Sequence, residues 1–252
     1  MYDVPSYVWV LSLIGVIGIP SVTVAMLYRG AIAASLARRT AVGVTIAAGY
    51  VLATWIVASF LLARAGVYHR DSGQAAPWFG LAFAGTLTVL LLATRIPVMR
   101  RILSAPGTPA RLAVPHTLRL VGVTFVIVMA LASLPAIFAL PAGLGDMAVG
   151  FSALFVARGL RRDPAYKGAV RFNVLGIVDL AVALGIGLLA GLGPIQLLTV
   201  TPTTEALTLL PLALVPTVAV PLAITLHVVS LNRLRGDARI GRSDRPRLRT
   251  AA

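Results

Sequence analysis

Asp179, Asp146, His227 and His116 interrupt runs of apolar residues long enough to cross a bilayer. An ionisable side chain at such depth is costly and faces protein, water or an ion rather than lipid. Asp179 lies seven positions into a run that starts at Phe172, about 10 Å below its boundary at 1.5 Å per residue. At about 100° per residue, Asn173, Gly176, Asp179, Ala183, Gly187 and Gly191 share one helix face about 120° wide. Small residues gathered on one face mark helix–helix contact. Asp179 is therefore expected to face protein, either as an interhelical bond that locks packing or as a proton- or substrate-coupling carboxylate.

His227 lies four residues before the end of the last apolar run, at a depth of about 6 Å. The last two runs are antiparallel neighbours, so a His227–Asp179 pair would orient the imidazole and tie the two titrations together. The alternative is an imidazole that reaches the interface or bonds a backbone carbonyl. His116 has a comparable height, which makes a two-histidine haem or metal site on His116 and His227 a geometric option. Asp146 follows the Gly-rich turn of LPAIFALPAGLGD, where it reads as a helix cap at headgroup level or as part of an outward vestibule. Glu205, with Thr203, Thr204 and Thr208, forms a polar outer mouth at the start of the last run. Pro211, Pro216 and Pro221 each release the carbonyl four residues back, at Leu207, Leu212 and Thr217.

These side chains need a membrane to hold them. The chain of 252 residues is 58% hydrophobic and 12% charged, with mean hydropathy +0.92. A soluble domain carries about a quarter charged residues. Seven apolar runs are expected as spans, at about 7–28, 40–63, 77–94, 120–140, 142–157, 172–192 and 205–231. The fifth is short: 16 residues reach about 24 Å. Pro106, Pro109 and Pro115 argue against a continuous helix through the basic connection at 95–119. Alternate gaps carry 3, 5, 5 and 7 Lys/Arg against 0, 2, 0 and 0 on the other side. That asymmetry predicts an all-α, polytopic transmembrane bundle of seven helices with its N-terminus outside and its C-terminus cytoplasmic. One transmembrane domain at 1–231 is followed by an arginine-rich cytoplasmic tail at 232–252, expected to be disordered.

The net charge of +14 belongs to those gaps, so it implies anionic lipid at the cytoplasmic face rather than nucleic acid. Cysteine is absent, which excludes disulfides and thiolate chemistry. No GxxxxGK[ST], HExxH, CxxC or GxSxG motif occurs, so catalysis has no signature here. Retinal pigments carry a lysine in the last helix, whereas the single lysine, Lys167, falls in a loop. The layout is similar to that of the SWEET sugar transporters, but spans one to three do not repeat in spans five to seven. LPAIFALPAGLGD and PLALVPTVAVPLAITLHVVSL resemble segments of uncharacterised bacterial multi-pass membrane proteins, a resemblance that implies the inner membrane and no activity. The leading expectation is a small-molecule or ion-coupled carrier using Asp179, His227, Asp146, Asn173 and Glu205, with no cofactor. The alternatives are a non-transporting subunit or sensor that binds a second copy or another membrane protein, and a redox protein bearing haem or metal.

Overall fold

The computed structural model describes residues 4–69, 77–192 and 196–243, with side chains to residue 236. Helices follow one another as α1 (Ser6–Ala33), α2 (Arg38–Arg64), α3 (Pro77–Ala93), α4 (Pro97–Leu103), α5 (Thr108–Ala113), α6 (Val123–Ala130), α7 (Ala136–Arg162), α8 (Gly168–Gly187) and α9 (Val220–Ser243). A 3₁₀ segment at Val114–Gly122 joins α5 to α6. A π turn at Leu188–Leu192 ends α8, and another at Val215–Ala219 opens α9. No strand occurs among the described residues. Six helical stretches are long and apolar enough to cross a membrane, and α3 with α4, bent by 81°, makes a seventh if the pair counts as one span. The architecture is that of a multi-pass, all-helical membrane protein.

The span boundaries differ from the sequence expectation at two places. The chain turns at 131–135, not at Pro141–Gly145. Ala132 takes a left-handed conformation (φ 56°) and Pro135 stands as the N-cap of α7. A proline in the first helical turn removes no ladder bond, whereas Pro141, inside α7, forfeits only one and the helix carries on. The fifth span is thus 27 residues long rather than 16, and the fourth begins back at Thr108. The last span begins at Val215 rather than Glu205. Residues 205–214 form a 3₁₀ turn at Thr204–Thr208 and open turns, because Pro211 and Pro216 deny the backbone two ladder donors. Downstream, α9 runs past Leu231 to Ser243, so its helix includes the first part of the expected tail. The rest, 244–252, lies outside the described residues.

The Thr217 carbonyl, released by Pro221, accepts the indole N–H of Trp55 at 3.0 Å. Thr217 also donates its hydroxyl proton to the Ala213 carbonyl, so its oxygen accepts from Ser59 at 2.7 Å, and Ser59 in turn accepts from Tyr68 at 3.3 Å. This chain ties the end of α2 to the proline-rich entry of α9. At the other kink, Gly191 (φ 145°) turns the chain, and Thr204 donates to the Gly187 carbonyl at 2.7 Å.

Burial sorts the helices into a centre and a flank. In the most apolar window of Val215–Gly236 67% is buried, against 11% in that of α2. Gly43, on α2, faces open space. The centre consists of α9, the 3₁₀ segment, α7 and α8.

Candidate functional site

A 3₁₀ helix has three residues per turn, so residues three apart stack in line. In Val114–Gly122 that line is His116, Arg119 and Gly122, all buried. Pro115 has no N–H with which to continue the α5 ladder. Arg119, expected in the cytoplasmic basic connection, consequently lies inside the bundle, with its side chain 3% exposed.

Three helices converge on its guanidinium. Nε donates to Asp146 Oδ1 of α7 at 2.6 Å. Nη2 donates to Asp179 Oδ2 of α8 at 2.5 Å and lies equally close to Asp146 Oδ1. Nη1 reaches His227 Nε2 of α9 at 3.2 Å. Arginine only donates, so His227 Nε2 accepts and its ring proton sits on Nδ1. Nδ1–H then donates to Asn173 Oδ1 at 3.0 Å. The Asn173 amide nitrogen donates in turn to the Ala169 carbonyl at 2.8 Å and to Ser230 Oγ at 3.1 Å. One guanidinium thus fixes the tautomer of an imidazole and the orientation of an amide on two other helices.

Asp146 is ten residues into α7, about 15 Å along its axis, and Asp179 is eleven residues into α8, about 16 Å. Asp146 therefore lies at mid-span, a correction to the helix-cap position expected at the outer surface. Close approach is required at three glycines, among them Gly122, where a Cβ would overlap that of Asp146. A Cβ on Gly145 would overlap the Asp179 carboxylate, and one on Gly176 would overlap the His227 ring.

Among the described residues the cluster holds one cationic side chain and two carboxylates, so with all three ionised it carries one negative charge in excess. Two cavities of about 40 Å³ adjoin it. One is lined by Ser12, Thr124, Arg119 and Asp146 together with apolar residues. The other lies against both Asp146 and Asp179, between Phe125 and Phe138. Each exceeds the space one water needs and falls far short of a pocket for a metabolite. Ser12 Oγ is buried with no hydrogen-bond partner among the described residues.

Asp179, Asp146, His227 and Asn173 are brought together, while Asp179 and His227 meet through Arg119 rather than directly. Glu205 stands apart on its 3₁₀ turn, half-exposed and 3.6 Å from His69 Nε2. His116 stacks on His227 with ring centroids 3.8 Å apart and planes 18° from parallel, and its edge meets Phe172. Among the described residues neither of its ring nitrogens has a hydrogen-bond partner. Stacked rings do not aim their nitrogens at a common point, and both His227 nitrogens are already engaged. The pair therefore does not fit a bis-histidine haem or metal site.

Sequence reasoning passed over Arg119, Ser230, Ser12 and Thr124. The signal for Arg119 was Pro135: ending the fourth span there moves its start back across Arg119 and His116.

The chain belongs to the family described as domain of unknown function DUF8737, which matches residues 76–235. That stretch contains His116, Arg119, Asp146, Asn173, Asp179, His227 and Ser230, and leaves out α1 and α2. No curated protein and no solved structure matches the chain.

Proposed function

We propose that this DUF8737 protein is an ion-coupled carrier of the bacterial plasma membrane, moving a small molecule with a proton or a monovalent cation. The reading includes seven spans, with α3 and α4 as one, an outside N-terminus and a cytoplasmic C-terminus. With Arg119 moved into the bundle, the Lys/Arg asymmetry between the two sides is still 19 to 2, which supports that orientation.

The observation that carries the coupling role is the sharing of Arg119 by Asp146 and Asp179 at mid-span. Two carboxylates on one guanidinium leave one negative charge in excess, which a proton or a monovalent cation would neutralise. Asp179 is the coupling carboxylate, alternating between the Arg119 bond and a bound proton or cation. Arg119 moves with that exchange because His227 and Asp146 pull on the same group. The adjoining 40 Å³ cavities admit an ion or a water and little more.

Infrared difference spectroscopy on proteoliposomes, titrated with pH and with sodium, tests this. A protonated-carboxyl band that appears on acidification and is lost in Asp179→Asn is the expected result for proton coupling. A sodium-dependent carboxylate change, lost in the same variant, is the expected result for cation coupling. Spectra in which both carboxylates stay ionised, indifferent to pH and to sodium, would overturn the reading.

A further inference from the structure

Away from the polar centre, a cavity of about 330 Å³ opens between α1, α2, α3, α4, α5 and α9. Its volume falls in the range of pockets that hold small ligands. Its lining comes from one end of each helix: the last third of α1, the first half of α2, the last turn of α3, and α4. Val51 and Ile96 line it and are 57% and 51% exposed, so it opens sideways on the flank of the bundle.

The chemistry of the lining is unusually one-sided. Its only hydroxyls belong to Thr23, Thr94 and Thr225. Each turns its proton onto a carbonyl of its own helix, Ile19 at 2.7 Å, Leu91 at 2.6 Å and Pro221 at 2.9 Å. What remains towards the cavity is hydrocarbon. A water there finds too few partners to be held, whereas an alkyl chain loses nothing by entering.

Basic residues flank the lining in sequence. The 81° bend between α3 and α4 brings Arg95, Arg100 and Arg101 into the same short stretch as the lining residues Ile96, Val98 and Met99, and all three arginines are exposed. Arg38 and Arg39, also exposed, open α2 below its lining residues. An occupant must therefore pair a hydrocarbon tail with an anionic head.

We infer that this cavity is a binding site for an anionic phospholipid, one acyl chain inside it and the headgroup phosphate on the arginines of the α3–α4 bend. The short amphipathic α4 carries both halves of the site, Val98 and Met99 towards the chain and Arg100 and Arg101 towards the phosphate. The site does not depend on what the polar centre transports.

The full chain, reconstituted in discs with equal amounts of phosphatidylglycerol and phosphatidylcholine of matched chains, is extracted into mild detergent and weighed intact by native mass spectrometry. The expected result is retention of phosphatidylglycerol in preference to phosphatidylcholine. The double variant Arg100→Gln, Arg101→Gln lowers that preference about thirtyfold, at the contribution usual for two basic residues near an anionic lipid surface. Ala48→Trp, which places a ring in the cavity, removes retained lipid of both kinds. Leu226→Trp fills the same space from α9 and serves if Ala48→Trp does not fold. Retention unchanged by either filling variant places the lipid on the outer surface and overturns the site. Equal retention of the two lipids by the wild type overturns the headgroup assignment, and no retention at all overturns both.

Discussion

The centre of the bundle and its α2–α4 flank both lie within the apolar stretches of the chain, yet they treat polarity in opposite ways. In the centre, Arg119 collects Asp146, Asp179 and His227 from three other helices, and the His227 bond commits Asn173 beyond it. On the flank, every threonine facing the large cavity is satisfied by its own helix and offers nothing across the gap. The centre is therefore cooperative: removing one partner strands the others. The flank is modular, and a change there stays local. Burying charge is worthwhile only where several groups share it.

Arg119→Leu breaks the comparison at its strongest point. It leaves two partly buried carboxylates without a counter-charge, and the expected loss is about 3 kcal/mol, the lower end for a broken buried pair, read as thermal unfolding in detergent. Combining it with Asp146→Asn and Asp179→Asn recovers much of that loss. A lone Arg119→Leu protein as stable as the wild type would show that the cluster does not hold the centre together.

Gly176→Ala comes next, at about 1–3 kcal/mol, because the added methyl collides with a ring already fixed on two sides. Gly185, on the same helix α8, has open space around it, so Gly185→Ala is its control and should be neutral or mildly stabilising. Equal effects at the two positions would mean that helix propensity, not the histidine contact, sets the cost.

Trp55→Phe sharpens the boundary between centre and flank. It leaves the Thr217 carbonyl without its donor and should cost about 1 kcal/mol. The smallest effect belongs to the exposed face of α2: Ile46→Val and Tyr50→Phe should each stay within about 0.5 kcal/mol. A larger loss in either would mark that face as covered by protein.

The all-helical, membrane-spanning architecture could be read from sequence because apolar run length is a strong signal and nearly every helix here has one. The helix face carrying Asn173, Gly176 and Asp179 was legible for the same reason: side chains at α-helical spacing follow one angular rule. Arg119 was not. Its neighbours Pro115 and Arg111 resemble a basic loop, and only the choice between Pro135 and Pro141 as the break decides on which side of the boundary it falls. Local composition treats those two prolines alike. The difference lies in the first helical turn, where a missing N–H costs nothing, and in the turn at Ala132, which no residue type announces. The 3₁₀ winding that aligns His116 with Arg119 has no periodic signature in so short a segment.

That winding sets a length as well as a direction. A residue in a 3₁₀ helix advances about 2.0 Å against about 1.5 Å in an α-helix, and turns about 20° further. Over Val114–Gly122 the difference amounts to about 4 Å of rise. The segment is in effect a screw thread: rewinding it as α-helix would shorten the span and turn Arg119 off its carboxylates in a single motion. Axial displacement and charge release are therefore mechanically geared at this position, with the pitch of one short stretch of backbone as the ratio.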